Sequence, residues 1–217
     1  MSELAFNILL VDDHQLIIDG IKSLFQDEKH LVFSFEANDG VSAKEIITAN
    51  HENIHLIIAD INMPGMSGIE LCHFVKQHYS HIKVLILSMY QSTSVVKEAL
   101  FAEADGYILK NTGKNDFAKA LFRILDGGTY FSEAIIPIIY KEYHKEQEKK
   151  EAVSMLTKRE TEVLILIAKE LTSEEIANQL FISKKTIDHH RQSLLSKTES
   201  KSTVGLVKFA IKNGLAV

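Results

Sequence analysis

The chain has 217 residues, of which 46% are hydrophobic and 24% charged, a composition typical of a globular protein with one or two domains. It contains no apolar run long enough to span a membrane, and its first residues lack the basic flank of a signal peptide. We therefore expect a cytoplasmic protein without membrane contact. The single cysteine excludes an internal disulfide and a zinc site built from cysteines.

Charge is unevenly distributed along the chain. Residues 1–140 contain 10 Lys and Arg against 18 Asp and Glu, whereas residues 151–217 contain 10 against 8. The first part is therefore acidic and the last part mildly basic. This difference predicts two domains with different partners, of which the basic one is the candidate for an anionic ligand.

Five apolar strands alternate with amphipathic helices in the first part of the chain. The strands are predicted at residues 6–11, 31–37, 55–60, 82–87 and 106–110. This alternation predicts an α/β domain with a five-stranded parallel, doubly wound sheet that helices cover on both faces. Ligands of such sheets bind beyond the carboxyl ends of the strands, where the strand order reverses.

Polar side chains stand at those strand ends and should converge: Asp12, Asp13, Asp60, Ser88 and Lys110. Considered alone, Asp60 is either a structural acid that caps a turn or a reactive carboxylate. Three carboxylates so close together need a cation, because like charges raise one another's pKa. Their hard oxygen atoms suit Mg²⁺, which typically shares its coordination shell with phosphate oxygens.

These groups fit a phosphoryl-transfer centre. A metal ion and the Lys110 ammonium would neutralise a transferring phosphoryl group, the Ser88 hydroxyl would hold one of its oxygens, and Asp60 would be the nucleophile. A haloacid-dehalogenase-like phosphatase is the alternative. It fits poorly, since its nucleophile normally lies on the first strand with a second Asp two residues later.

Over residues 6–127, the combined pattern resembles the receiver domain of two-component response regulators. The resemblance implies a flavodoxin-like fold for this part of the chain. The matching residues are Asp12, Asp13, Asp60, Pro64, Gly65, Ser88, Tyr107 and Lys110. Glu103 departs from the pattern, because similar sequences often have glycine there. Considered alone, Tyr107 is also compatible with a half-buried aromatic residue that has no switching role.

The resemblance implies that Asp60 accepts a phosphoryl group from a phosphohistidine of a sensor histidine kinase. It also implies a Mg²⁺ ion held by Asp13, Asp60 and the backbone carbonyl of Asn62, with Asp12 acting mainly through water. Ser88 and Tyr107 would move together on phosphorylation. We accordingly expect residues 1–128 to form the receiver domain of a phosphoprotein and not of a turnover enzyme.

Residues 129–154 are predicted to form a solvated helical or partly disordered linker, because their last stretch carries charges of both signs and little to bury. After the linker, Thr157 and Thr172 each begin a capping box, and Ser183 is a good N-cap for a third helix reaching about residue 198. A short helix, a tight turn and a longer helix constitute a helix-turn-helix arrangement.

The third of these helices has two distinct faces. Ile187, His190 and Leu194 should face the core, which leaves a polar face that suits the major groove of DNA. Its residues near phosphates are predicted to be Lys184, Lys185, Thr186 and Arg191, and those near base edges Asp188, His189 and Gln192. In isolation, a solvated surface helix is the preferred interpretation of this segment.

Residues 155–217 resemble the LuxR-type DNA-binding domain, a small all-α domain. The matching residues are Leu156, Thr157, Arg159, Glu160, Glu162, Ile176, Ala177, Ile182, Ser183, Lys185, Thr186 and Ile187. Glu170 and the pair Thr198 and Glu199 depart from the pattern. With a receiver in front, the resemblance implies a NarL/FixJ-class transcription regulator that binds double-stranded DNA as a homodimer when active.

Overall fold

The computed structural model describes residues 5–216, apart from the side chain of Glu146. Residues 1–4 and 217, the outer ends of the two predicted domains, lie outside the described residues. The chain divides into two compact units between Tyr140 and Lys141, inside the predicted linker. No helix among the described residues is long and apolar enough to cross a membrane.

The first unit contains a parallel sheet in the order β2-β1-β3-β4-β5-β6. Its strands are β1 Phe6–Val11, β2 Leu31–Ala37, β3 Leu56–Asp60, β4 Lys83–Ser88, β5 Gly106–Leu109 and β6 Tyr130–Phe131. The strand order reverses between β1 and β3, so Asp12, Asp13 and Asp60 flank the point where parallel sheets bind ligands.

The prediction of five strands was wrong, because a sixth strand joins the edge of the sheet. Tyr130 and Phe131 pair in parallel with Gly106 and Tyr107 of β5. The chain reaches this edge after a left-handed turn at Gly127. A strand of two residues is too short to produce a periodic sequence signal, so only its pairing with β5 reveals it.

Helices cover both faces of this sheet because neighbouring strand residues point to opposite sides. The helices that cover it are α1 Gln15–Leu24, α2 Gly40–Asn50, α3 Gly68–His78, α4 Thr93–Phe101 and α5 Lys114–Leu125, with a short 3₁₀ helix at His51–Asn53. A further helix, α6 Ile136–Ser154, contains the boundary between the two units. One core cluster combines side chains of α2, α3 and α4 with one face of the strands. The second combines α1 and α5 with the opposite face.

The turn after β3 is shaped by a close backbone approach at Gly68, the first residue of α3. A Cβ atom at this position would lie 2.0 Å from the carbonyl oxygen of Asp60. Ser67 and Glu70 form a capping box that closes the helix end. The absence of a side chain at Gly68 therefore lets α3 begin directly beside the last residue of β3.

The second unit contains α7 Lys158–Ala168, α8 Ser173–Leu180, α9 Lys184–Lys197 and α10 Thr203–Lys212. Thr157 and Thr172 form the predicted capping boxes, and the Ser183 side chain caps α9. Apolar side chains of all four helices form one core. The predicted all-helical arrangement, with α8 and α9 as the helix-turn-helix, is confirmed.

Within residues 5–216, four helices are followed closely by a left-handed residue that is not glycine. These residues are Glu103 (φ 59°), Glu170 (64°), Phe181 (55°) and Glu199 (52°). The following backbone N–H bonds to a carbonyl five residues earlier, for example Leu171 N to Leu166 O at 3.2 Å. These helix endings are therefore preserved without glycine, at a cost of about 1 kcal/mol each.

Replacing Gly68 with Ala should lower the free energy of unfolding by about 1–3 kcal/mol, because the added methyl group would overlap the Asp60 backbone. Gly20 is the matched control, since it lies within α1 and a Cβ there would have no neighbour within 4 Å. Gly20→Ala should leave stability unchanged or raise it by about 0.5–1 kcal/mol. Urea denaturation of the full-length chain measures both, and equal effects would contradict the packing argument.

Candidate functional site

Two buried carboxylates and one ammonium group meet at the carboxyl edge of the sheet. Asp12 follows β1 and Asp60 ends β3, and these residues are only 3% and 7% exposed. Lys110 follows β5, and its Nζ lies 2.6 Å from Oδ2 of Asp12 and 3.3 Å from Oδ1 of Asp60. The structure thus brings together three predicted site residues that are up to 98 positions apart.

The environment of Asp60 raises the pKa of its carboxyl group above the ordinary value. Burial raises the pKa of Asp60, and the nearby positive charge of Lys110 only partly opposes this effect. The negative charge of Asp12 raises the same pKa further. The site therefore has more negative charge than its lysine neutralises, and an additional cation would stabilise it.

A group of potential metal ligands lies beside these residues. Asp12, Asp13 and His14 each offer one ligand atom, and these atoms all lie within 4.8 Å of one another. Nδ1 of His14 is 2.8 Å from Oδ1 of Asp13 and 3.3 Å from Oδ1 of Asp12. This acidic group can hold a metal ion. Asn62, the other predicted ligand, is exposed in the loop after β3.

His14 was not singled out from the sequence. The sequence shows only that His14 comes directly after the two acids and directly before α1. A residue in that place most simply caps the helix. The structure confirms that His14 precedes α1 but shows no side-chain capping bond from it. Its ring instead contacts the neighbouring carboxylates.

Ser88 and Tyr107 are connected through the backbone of Tyr90. The Ser88 Oγ atom is buried and accepts a hydrogen bond from the Tyr90 N–H at 3.0 Å. The Tyr107 hydroxyl donates to the Tyr90 carbonyl at 2.7 Å, and burial raises its pKa. Tyr107 is fully buried, not half-buried. The two predicted switch residues therefore share one loop residue, which sequence patterns did not identify.

In the second unit, α9 separates a buried from an exposed face. Ile187 and Leu194 are completely buried, and His190 is partly buried beside them. The exposed residues include six of the seven predicted DNA contacts: Lys184, Lys185, Thr186, Asp188, His189 and Gln192. The seventh, Arg191, is partly buried and donates to Oγ1 of Thr203 at 3.1 Å, which holds its guanidinium towards α10.

Glu160 joins α9 to the beginning of α7. Its buried carboxylate accepts hydrogen bonds from the Thr157 backbone N–H, from Ser193 Oγ at 2.6 Å and from Lys197 Nζ at 2.8 Å. Burial favours the neutral form, but hydrogen bonds from Lys197, Ser193 and Thr157 outweigh it and lower the pKa of Glu160 to about 2. One carboxylate thereby positions the helix that carries the candidate DNA-contacting residues.

Comparison with known proteins identifies both units. Residues 8–122 match the response regulator receiver domain, and residues 154–210 match the bacterial regulatory proteins of the luxR family. The transcriptional regulatory protein DegU of Brevibacillus brevis is 30% identical over 99% of this chain and 96% of its own length. The response regulator protein VraR of Staphylococcus aureus is 33% identical over 98% of this chain and 99% of its own length.

The chain belongs to the response regulators. It combines a receiver domain with a LuxR-type helix-turn-helix domain, and its relatives include a transcriptional regulatory protein. The architecture also matches a solved structure of RcsB from Salmonella enterica serovar Typhimurium, bound to promoter rprA in the presence of the phosphomimetic BeF3−. That match has 25% identity and a TM-score of 0.55, and covers 94% of this chain and 97% of the RcsB chain.

The stabilisation that Glu160 provides should disappear in acid. Its folded-state pKa of about 2 lies below the ordinary value of 4.5, so the carboxylate stabilises the LuxR-type domain above pH 4.5 and progressively less towards pH 2. Calorimetric unfolding at several pH values should show a large destabilisation by Glu160→Gln at neutral pH that shrinks as the pH falls.

Glu162→Gln is the control for this experiment, because Glu162 lies on the same helix and its ion pair with Arg159 is exposed. It should change stability little at any pH. A Glu160→Gln effect that does not vary with pH would contradict the assignment of the stabilisation to the ionised carboxylate.

Proposed function

We propose that Asp60 accepts a phosphoryl group from a phosphohistidine of a sensor histidine kinase, and that this modification controls binding of the LuxR-type domain to promoter DNA. The observation that carries the proposal is the contact of Lys110 with both Asp12 and Asp60 at the strand-order reversal. An ammonium group beside a buried carboxylate supplies the positive charge that an incoming phosphoryl group requires.

In the proposed transfer, a carboxylate oxygen of Asp60 attacks the phosphorus atom. The phosphorus–nitrogen bond to the kinase histidine breaks as the new phosphorus–oxygen bond forms, and the imidazole leaves with the bonding electrons. Lys110 neutralises charge on the transferred oxygens. Ser88, buried at the end of the neighbouring strand, is the hydroxyl donor for one of them.

Mg²⁺ is the metal ion that we assign to the acidic group. The carboxylates of Asp12 and Asp13 are hard oxygen ligands, and the excess of negative charge around Asp60 requires a cation. By the family pattern, Asp13, Asp60 and the carbonyl of Asn62 would hold the ion and Asp12 would act through water. When bound, Mg²⁺ would neutralise phosphoryl charge and lower the barrier to transfer.

The proposed product remains attached to the protein. The phosphoryl group stays on Asp60 until water removes it, so the chain is a substrate of its kinase and not a turnover enzyme. Ser88 and Tyr107 would respond to it through Tyr90, which both contact. Phosphorylation would thereby shift an existing equilibrium between two receiver conformations, and the favoured one would promote DNA binding.

DNA binding is assigned to α9, whose exposed polar face would enter the major groove. RcsB, which shares the architecture, has been solved in complex with promoter DNA and as dimers on DNA. We propose a homodimer here too, with exposed apolar residues Val204 and Ile211 of α10 at the interface. Because promoter DNA lies in the cytoplasm, the proposal places the protein there.

Phosphorylation should be lost in Asp60→Asn, because an amide cannot form the acyl phosphate. Intact-mass spectrometry after incubation with acetyl phosphate and Mg²⁺ should show one added phosphoryl group on the wild type and none on the variant. Asp19→Asn is the control, since Asp19 is an exposed carboxylate on α1 of the same domain. Equal incorporation in wild type and Asp60→Asn would overturn the nucleophile assignment, and steady release of phosphate would indicate a phosphatase instead.

Removal of a phosphate contact should weaken DNA binding without changing sequence preference. Lys185→Ala should lower affinity for every sequence and reduce the slope of log affinity against log salt by about one. Gln192→Ala should instead change the preference at a particular base pair, by about 1–3 kcal/mol. Fluorescence anisotropy at several salt concentrations separates the two effects. If both variants behave alike, the division of α9 into phosphate and base contacts is wrong.

A further inference from the structure

Asp188 is a negative charge in the middle of the exposed face of α9. Its neighbours on that face are Lys184, Lys185, His189 and Gln192, which are basic or uncharged polar residues. Ile187, the preceding residue, is completely buried and fixes the rotation of the helix. The Asp188 side chain consequently points away from the core and is exposed.

Asp188 forms no ion pair within the described part of the chain. Lys184 and Lys185 lie one turn before Asp188, and Arg191 lies one turn after it, which are the positions that normally pair on a helix. Within residues 5–216, however, no side chain forms an ion pair or hydrogen bond with Asp188, and Arg191 instead donates to Thr203. The acceptor atoms of Asp188 are therefore free to meet a ligand.

A carboxylate at a DNA-binding surface costs affinity unless a hydrogen-bond donor faces it, because the DNA backbone is itself negative. An ionised carboxylate can only accept hydrogen bonds. In the major groove, guanine offers acceptors and thymine an acceptor and a methyl group, while adenine offers a donor next to an acceptor. Cytosine offers the N4 donor without an adjacent acceptor, so it is the base that best matches Asp188.

We propose that Asp188 reads cytosine, and that each half-site of the DNA target contains a C·G base pair recognised by this carboxylate. The inference rests on the proposed function, because it requires α9 to enter the major groove. Asp188 lies in the first half of α9, the part of a recognition helix that reaches base edges. Its charge also discriminates against other sequences, since a wrong base leaves the carboxylate without a donor.

The test is a selection of bound fragments from randomised double-stranded DNA, using the full-length chain with BeF3− and Mg²⁺. The wild type should yield a consensus with one C·G pair in each half-site. In Asp188→Asn this pair should change to A·T, because an asparagine side chain pairs with N6 and N7 of adenine. Asp188→Ala should accept any base at that position. Substituting the C·G pair should weaken wild-type binding by about 5- to 150-fold, the usual effect of one mismatched pair.

Glu199→Gln is the matched control, because it removes the same charge from an exposed position two residues beyond the end of α9, 11 positions after Asp188. It should retain the wild-type consensus. Two results would overturn the assignment of cytosine to Asp188 but leave the proposed function standing. One is an unchanged consensus in Asp188→Asn and Asp188→Ala, and the other is a loss of all DNA binding by both variants with their fold intact. Absence of any consensus for the wild type would overturn sequence-specific binding, and with it both proposals.

Discussion

The bridge that Lys110 forms between Asp12 and Asp60 is the interaction on which the candidate site depends. It joins residues that follow or end three different strands, β1, β3 and β5. All three groups are nearly buried, and removal of one partner from such an arrangement leaves a buried charge that costs about 3–5 kcal/mol. The same bridge leaves one carboxylate in excess, so it holds the site together and at the same time leaves a negative charge that a cation can neutralise.

Buried carboxylates paired with lysine organise both units of the chain. In the receiver domain, Asp12 pairs with Lys110; in the LuxR-type domain, Glu160 receives Lys197 and Ser193 and joins α9 to α7. Each pair links elements that are far apart in sequence, so each forms only when the surrounding helices and strands are correctly packed. The chemistry at the sheet edge and the position of the candidate DNA-contacting helix consequently depend on the same kind of interaction.

Much of the architecture was predictable because local signals were strong. Continuous apolar runs identified the five main strands, and Thr157, Thr172 and Ser183 identified the beginnings of α7, α8 and α9. The two-residue strand β6 was missed because its pairing with β5 is a long-range feature. The contacts of His14 and of the Tyr90 backbone were missed for the same reason, since their neighbours are set by tertiary packing.

The sequence by itself determined the positions of the five longer strands, the beginnings of the capped helices, the two domain types and the residues at the ends of those strands, because periodicity, caps and spacing are local properties. Only the tertiary structure decided that Lys110 contacts both Asp12 and Asp60, that Arg191 is turned towards Thr203 and that Asp188 is left without a partner among the described residues. These facts depend on which side chains meet after folding. A linear pattern places a carboxylate on a surface, but only packing shows whether another group already neutralises it.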